Sequence, residues 1–169
     1  MNPMISLYKA NSMNRAIFLD RDNTVIVDRG YLYDPAYIEF IPEVLSALRT
    51  IQDAGFLLIM VSNQSGIGRG YFTETNHNAV KERLSELLKA NGITLAGYYY
   101  CPHSPDENCE CRKPKPLMAY KAAEDFNIDL SESYMIGDKD SDIEFGRNFG
   151  AKACFRSVQE YFNKPGIER

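Results

Sequence analysis

Short apolar runs alternate along the chain with longer amphipathic stretches. Five such runs lie at residues 16–20, 56–62, 97–101, 133–138 and 151–155. Continuous apolar runs of this length are typical of strands that are buried on both faces, as in a parallel sheet. The pattern therefore predicts five buried strands.

The stretches between these runs have the periodicity of helices. They lie at residues 42–55, 73–92, 116–127 and 141–150. In the second, Thr73 is an N-cap candidate and Gly92 a candidate for the C-terminal stop. Alternation of strands and helices predicts an α/β fold, a doubly wound parallel sheet.

Length and composition favour one globular domain. The chain has 169 residues, and we expect residues 1–14 to be an irregular lead-in and residues 15–169 a single domain. No apolar run approaches the roughly 18 residues that span a membrane, and the N-terminus lacks the apolar segment of a secretory signal. We expect a cytoplasmic monomer with no membrane partner. The net charge of −4 argues against a nucleic-acid partner.

Polar residues follow four of the predicted strands. Asp20 and Asp22 end the first, the segment 62–64 ends the second, Lys113 follows the third, and the segment 137–142 follows the fourth. In doubly wound sheets the ligand binds beyond the carboxyl ends of the strands. We therefore expect these groups to converge at one edge of the sheet.

The carboxylates in this set indicate a divalent cation. Residues two apart on a strand point the same way, so Asp20 and Asp22 face one space. A lone D-x-D is more often an acidic loop, but Asp138 and Asp142 bring four carboxylates to the same edge. Their mutual repulsion favours a bound Mg²⁺. Such a site, with a lysine and a hydroxyl, suits phosphoryl transfer through a carboxylate nucleophile and a carboxyl acid/base.

Four segments in order, DRDNT (20–24), SNQ (62–64), Lys113 and GDKDSD (137–142), resemble the motifs of the haloacid dehalogenase phosphatase superfamily. The resemblance covers nearly all of residues 15–156 and implies a Rossmann-like fold, capless or nearly so. It implies that Asp20 is the nucleophile, that Asp22 is the general acid/base, and that Ser62 and Lys113 hold the phosphoryl group. Mg²⁺ would be bound by Asp20, the Asp22 backbone carbonyl and Asp138, supported by Lys139 and Asp142.

One position departs from this pattern. Asn23 stands where the superfamily usually has glycine. Because asparagine tolerates positive φ better than most residues, we expect the turn to survive.

Finer matches resemble the D-glycero-D-manno-heptose 1,7-bisphosphate phosphatases. The matching segments are DRGYLYDP (28–35), SNQSGIGRGYF (62–72) and C-x-H-x₅-C-x-C before RKPKP. This resemblance implies removal of the C7 phosphate of a small sugar bisphosphate, through an aspartyl-phosphate, in lipopolysaccharide precursor synthesis. It also implies substrate contacts from Asp28, Arg29, Gly30, Tyr31, Ser62, Asn63, Gln64, Ser65 and Arg112. The sister group, the histidinol-phosphate phosphatases, shares the short spacing of the Cys/His loop.

The segment GIGRG (66–70) has three interpretations. It differs from the dinucleotide fingerprint G-x-G-x-x-G, so a cofactor loop is disfavoured. A plain turn is the commoner reading, and a turn that brings Arg69 near the substrate is the other.

Four candidate zinc ligands follow the third strand, namely Cys101, His103, Cys109 and Cys111. Thiolates and imidazole prefer Zn²⁺ to Mg²⁺, and four protein ligands leave no open position for water. A structural Zn²⁺ site is therefore our main interpretation, with a redox-active or disulfide-forming cluster as the alternative. We interpret His77 as an ordinary histidine on a polar helix face, and Cys154 and residues 98–100 as parts of strands.

Competing functions remain open. The close alternative is a histidinol-phosphate phosphatase. A more distant one is a nucleic-acid 3′-phosphatase, which SNQSGIGRG also resembles, although the acidic chain argues against it. The non-enzymatic alternative is a zinc-clipped binding module with a vestigial acidic site.

Overall fold

Parallel strands form one sheet in the computed structural model, which describes residues 12–167. In chain order they are β1 (Ala16–Leu19), β2 (Leu57–Asn63), β3 (Leu95–Cys101), β4 (Tyr134–Ile136) and β5 (Ala153–Phe155). Their order in the sheet is β3-β2-β1-β4-β5, and every neighbouring pair is parallel. The predicted doubly wound sheet is confirmed. Residues 1–11 of the predicted lead-in lie outside the described residues.

Helices connect these strands. They are α1 (Val44–Asp53), α2 (Ser65–Gly68), α3 (Glu74–Ala90), α4 (Leu117–Phe126), α5 (Asp140–Phe149) and α6 (Val158–Asn163). Single 3₁₀ turns lie at Pro35–Tyr37, Pro105–Glu107 and Leu130–Glu132. The four predicted helices are confirmed. The sequence pattern missed α2 and α6 because four and six residues are too few to show a helical period.

The sheet buries both of its faces. On β1, Ile17 and Leu19 belong to the core under α1, α3 and α6, while Ala16 and Phe18 belong to the core under α4 and α5. All four residues are fully buried. Helices on both faces explain why the strands are continuously apolar, without the alternation of a half-exposed strand.

The predicted ends of α3 agree with the structure, whereas the predicted start of α1 does not. Thr73 caps α3 with its hydroxyl, which accepts a hydrogen bond from the Asn76 amide at 3.1 Å. Gly92, the candidate for the C-terminal stop, follows the helix in a left-handed conformation (φ +75°). The predicted start of α1 at Pro42 is wrong, since Glu43 is left-handed (φ 66°) and regular helix begins at Val44.

The strand order reverses beside β1. The chain runs from β1 through β2 to β3 on one side, then returns to place β4 against the other side of β1. Ligands bind at such a reversal, beyond the carboxyl ends of the strands. Asp20 follows β1 there and Asp138 follows β4. Within residues 12–167, no helix is long and apolar enough to cross a membrane.

Candidate active site

The turn after β1 presents two carboxylates to the reversal point. Asp20 is buried, while the Asp22 side chain keeps 15% of its surface exposed. Asn23 has φ 62°, which confirms that asparagine supports the left-handed turn. Its Nδ2 also donates to Asp138 Oδ2 at 2.8 Å, which ties the turn after β1 to the end of β4.

Lys113 is buried at the centre of the site. Its Nζ donates to Asp20 Oδ1 at 2.9 Å, to Asp142 Oδ1 at 2.6 Å and to the Val61 carbonyl at 2.8 Å. Burial alone would lower the pKa of Lys113, but the two carboxylates more than offset this and raise it. Lys113 is therefore a cation at neutral pH.

The loop that carries Lys113 is fixed to β2. The Lys113 amide donates to Asn63 Oδ1 at 3.0 Å, and Asn63 Nδ2 donates back to the Lys113 carbonyl at 3.1 Å. This pair of bonds joins residues fifty positions apart. The side chain of Asn63 thus sets where the lysine enters the site.

Three carboxylates form what we call the carboxylate cluster, Asp20, Asp138 and Asp142. One oxygen from each lies within 4.8 Å of the others. Asp138 Oδ1 is buried and has no hydrogen-bond partner, which suits an oxygen that coordinates a cation. Because hard oxygen ligands suit Mg²⁺, the residues present fit this ion.

Burial shifts the acidity of the carboxyl groups here. Burial raises the pKa of Asp22, and Asp20 raises it further, while Arg21 opposes the shift. Burial likewise raises the pKa of Asp142, against the lowering effect of Lys113. Both shifts favour the protonated carboxyl over the carboxylate, which is the form that can donate a proton.

Two adjoining cavities open above these groups. The inner one, about 100 Å³, is lined by Asp20, Asp22, Asn63, Ser65, Arg112, Lys113, Lys139, Ser141 and Asp142. The outer one, about 270 Å³, is lined by Asp22, Asp28, Gly30, Tyr31, Lys139 and residues 63–66. Most of the predicted site residues therefore meet in one space.

Besides Asp138, three residues of the predicted active site line neither cavity. Ser62 is buried beneath the walls, and its hydroxyl accepts a hydrogen bond from Gln64 Nε2 at 2.7 Å. Arg29 pairs with Glu39 and lines a separate depression beside Tyr33 and Tyr37. Arg69 is exposed, and its Nε lies 3.5 Å from the Ser65 hydroxyl. Any contact of these residues with substrate stays a prediction.

The second ligand group, which we call the thiol cluster, is Cys101, His103, Cys109 and Cys111. One atom from each lies within 4.8 Å of the others. Neighbouring ligand atoms are 2.9–3.8 Å apart, and all four cysteines of the chain are free thiols. The set is compatible with a tetrahedral Zn²⁺ site. Its members line neither of the two cavities.

Backbone bonds connect the thiol cluster to the cavity walls. The Cys101 carbonyl accepts from the Gln64 amide at 2.7 Å, and the Pro102 carbonyl accepts from the Gly68 amide at 2.8 Å. A Cβ at Gly68 would lie 2.6 Å from the Ser104 amide nitrogen, so only glycine permits this approach. The loop therefore supports the wall that carries Gln64 and Ser65.

Sequence reasoning missed or misplaced several residues. Ser141 lines the inner cavity, and Tyr71 contacts Tyr31 edge-on at 4.7 Å between ring centroids. The placement of His77 on a polar helix face is wrong, since the residue is fully buried against Tyr98 and Tyr100. The residues next to His77 in the sequence are polar, so nothing in the sequence indicated its burial. His77 is buried because its side of α3 faces Tyr98 and Tyr100 of the edge strand β3.

Arg21 is the largest side chain that is fully buried among the described residues. Nothing in the sequence indicated this burial, because Arg21 lies between Asp20 and Asp22 in a polar segment. Its guanidinium pairs with Asp22 at 3.1 Å.

Comparisons with known proteins agree with this geometry. Residues 110–156, which include Lys113, Asp138 and Asp142, match the family Hydrolase_like (HAD-hyrolase-like). The chain is 44% identical over 151 residues to the D-glycero-beta-D-manno-heptose-1,7-bisphosphate 7-phosphatase of Yersinia pestis, covering 84% of this chain and 80% of that protein. A protein of the same name from Helicobacter pylori (strain J99) is 44% identical over 153 residues, covering 90% and 88%.

A solved structure shares the fold. It is the D,D-heptose 1.7-bisphosphate phosphatase from B. bronchiseptica, complexed with magnesium and phosphate. It superposes with a TM-score of 0.75 at 30% identity and covers 81% of this chain and 77% of its own.

Proposed function

Since the chain belongs to the haloacid dehalogenase superfamily of phosphatases and is a phosphoric monoester hydrolase, we propose that it removes the C7 phosphate of D-glycero-D-manno-heptose 1,7-bisphosphate. The observation that carries this choice of substrate is the 44% identity, over most of both chains, to enzymes of that name. The charged and polar residues that line the two cavities also support a phosphorylated sugar as substrate.

In the proposed mechanism Asp20 attacks phosphorus. A carboxylate oxygen of Asp20 forms the new bond to phosphorus while the bond to the sugar oxygen breaks, which leaves an aspartyl-phosphate. Lys113 Nζ, 2.9 Å from Asp20 Oδ1, neutralises charge beside the attacking group. Mg²⁺, held by Asp20, Asp138 and the Asp22 backbone carbonyl, would supply positive charge against the phosphoryl oxygens.

Asp22 moves the proton in both half-reactions. Its carboxyl first donates a proton to the departing sugar oxygen. The resulting carboxylate then takes a proton from the water that attacks the aspartyl-phosphate, so the group returns to its starting state. The raised pKa of Asp22, caused mainly by burial, supports the donor role in the first step.

The two cavities divide recognition between phosphate and sugar. The inner cavity supplies three cations, Arg112, Lys113 and Lys139, to a phosphoryl group. Arg112 Nη1 is buried without a hydrogen-bond partner, so it has a free donor for a phosphate oxygen. The outer cavity supplies Asp28, Asn63 and Gln64 to sugar hydroxyls, with Tyr31 as an aromatic wall.

A substrate panel tests this proposal. Purified protein with Mg²⁺ is assayed on both anomers of the heptose 1,7-bisphosphate and on histidinol phosphate, and phosphorus NMR identifies which phosphate leaves. We expect kcat/KM for one heptose anomer to exceed that for histidinol phosphate by more than tenfold, about 1.4 kcal/mol. Preference for histidinol phosphate, or loss of the C1 phosphate, would overturn the proposal. Asp20→Asn protein serves as the blank for contaminating phosphatase.

A further inference from the structure

We propose that Arg21 is a positioning residue that holds the Asp22 carboxyl in the orientation needed for proton transfer to the leaving oxygen. The inference rests on the proposed role of Asp22. It concerns a residue that lines neither cavity and has no place in the mechanism described above.

The contact between the two side chains fixes direction as well as distance. Arg21 Nε donates to Asp22 Oδ1 at 3.1 Å, and Arg21 Nη2 donates to Asp22 Oδ2 at 3.1 Å. Two parallel bonds from a planar guanidinium set the plane of the carboxyl, which a single bond from a lysine would leave free to rotate. Asp22 Oδ1 accepts only from Arg21 in this structure and keeps a second lone-pair position for a proton.

The backbone of Arg21 is also held. Its carbonyl accepts hydrogen bonds from the amides of Val25 at 3.0 Å and Ile26 at 3.1 Å. Gln64 Nε2 also donates to Asp22 Oδ2, at 3.4 Å. Asp22 is thereby held between a rigid arginine and the end of β2.

The guanidinium lies in a buried pocket that provides no other carboxylate. The Arg21 side chain is 1% exposed, and Asp22 is its one ion-pair partner among residues 12–167. Behind it lie Tyr98, which interacts with the Arg21 side chain and raises the pKa of Arg21, and His77, whose pKa Arg21 lowers. Both His77 ring nitrogens are buried and have no hydrogen-bond partner.

These neighbours are uncharged at neutral pH. Burial lowers the pKa of His77 to about 3, and burial raises the pKa of Tyr98 to about 12. A neutral pocket on one side and a single carboxylate on the other orient the guanidinium towards Asp22. Arg21 therefore interacts electrostatically with the site through Asp22.

Stability alone does not account for this arrangement. Taking a guanidinium out of water is expensive, and replacing a buried ion pair by apolar groups is often neutral or stabilising. The two buried ring nitrogens of His77, beside the guanidinium, also have no hydrogen-bond partner. Control of the proton donor accounts for the charge at this position, because small displacements of a catalytic group greatly reduce the rate.

Leaving-group chemistry separates positioning of an acid from general support of the fold. A sugar alkoxide needs a proton in order to leave, whereas p-nitrophenolate leaves without one. For Arg21→Met we expect kcat/KM to fall by about 10²-fold on a sugar phosphate. On p-nitrophenyl phosphate we expect a loss at least about tenfold smaller, since formation of the aspartyl-phosphate no longer depends on the acid.

A double-variant cycle identifies the group through which Arg21 acts. In an Asp22→Asn background, Arg21→Met should lower kcat/KM by less than about threefold, because the group that it positions has been removed. Arg21→Lys should also lose more kcat/KM on the sugar phosphate than on p-nitrophenyl phosphate, with smaller losses than Arg21→Met. If Arg21→Met does not fold, the same comparison is made with Arg21→Lys. Arg83→Met, at an exposed arginine that pairs with Glu86, is the matched control and should behave as wild type.

Equal losses on the sugar and aryl phosphates, or a full further loss in the Asp22→Asn background, would overturn the role of Arg21. These comparisons use any sugar phosphate that the protein turns over. Failure on the heptose bisphosphate would therefore overturn the proposed substrate and leave the Arg21 test in place.

Discussion

The carboxylate cluster and the thiol cluster place their ligand atoms at similar spacings, yet their surroundings differ. In both, the atoms lie within 4.8 Å of one another. The carboxylate cluster lies at the reversal of strand order, holds the buried Lys113 and faces the inner cavity. The thiol cluster lies in a loop after β3 and lines neither cavity.

The difference shows what makes a ligand group reactive. Ligand spacing alone indicates that a metal ion fits. Open space beside the ligands, neighbouring cations and an unpaired oxygen such as Asp138 Oδ1 indicate where a substrate can react. The loop of the thiol cluster instead forms backbone hydrogen bonds with the segment that carries Gln64 and Ser65, and so supports the cavity wall.

The largest expected effect comes from replacing Asp20, the proposed nucleophile, in the carboxylate cluster. We expect Asp20→Asn to reduce turnover by about 10⁴-fold or more, because an amide cannot form the aspartyl-phosphate. Steady-state assays measure the loss. Circular dichroism should show an unchanged fold, and the exposed Asp53→Asn variant should keep full activity. Hydrolysis by Asp20→Asn near the wild-type rate would refute the nucleophile assignment.

The next effect removes the cation of the same cluster. In Lys113→Met, the buried Asp20 and Asp142 lose their partner, so we expect a loss of about 3–5 kcal/mol in the free energy of unfolding without Mg²⁺. Denaturant titration measures it.

Lys152→Met removes an exposed ion pair with Glu132 and is the control, with an expected loss below about 1 kcal/mol. Similar losses in the two lysine variants would show that the central ion pairs do not stabilise the fold.

Metal exchange tests the contrast between the clusters directly. We propose that the thiol cluster binds Zn²⁺; removing this ion should loosen the wall at Gln64 and Ser65, lower kcat by about 10²-fold and lower the thermal midpoint. Either Zn²⁺ or Co²⁺ should restore both properties to the same level, because a structural site needs only a tetrahedral ion.

Replacing Mg²⁺ by Ca²⁺ should instead abolish turnover and leave the thermal midpoint near its Mg²⁺ value. A rate that depends on which ion fills the thiol cluster would contradict its structural role.

The smallest effect concerns His77, which lies outside both clusters. Burial lowers its pKa to about 3 in the folded state, against about 6.5 when unfolded. The unfolded chain therefore takes up a proton between pH 6.5 and 3 that the folded chain does not, so stability falls as pH decreases through this range. Between pH 7 and pH 5 the contribution is about 2 kcal/mol. Denaturant titrations at both pH values measure it.

His77→Phe should lose this part of the pH dependence, because phenylalanine does not titrate. An identical pH dependence in the wild type and the variant would show that the pKa of His77 is the same in the folded and the unfolded chain.

The strands and the acidic turn were predictable because their signals are local. Continuous apolar runs identified all five strands, and Asn23 was recognised as able to take positive φ in its turn. Thr73 was identified as a cap because its hydroxyl reaches an amide only three residues away. In each case the residues that decide the structure are neighbours in the sequence.

The proposed substrate and mechanism rest on motif order and on resemblance. Four motifs in sequence order indicated the superfamily, and the relatives establish it. That result also removes the non-catalytic alternative, since the chain is a phosphatase. The segment DRGYLYDP favoured the heptose enzymes, but the short spacing of the Cys/His loop is shared with the histidinol-phosphate phosphatases, so the sequence left both substrates open. We expect the outer cavity, to which the segments 28–31 and 63–66 both contribute, to distinguish them.

The sequence by itself determined the five strands and the four longer helices and indicated the candidate residues for the chemistry, because apolar periodicity and short motifs act over a few residues. Only the tertiary structure decided that Lys113 reaches Asp20 from 93 positions away, and that His77 and Tyr98 form a buried pocket behind Arg21. Contacts of this kind depend on how strands are ordered and how a helix packs on the sheet. Burial and electrostatic pairing then stabilise these contacts between residues so far apart in the sequence that no periodic pattern relates them.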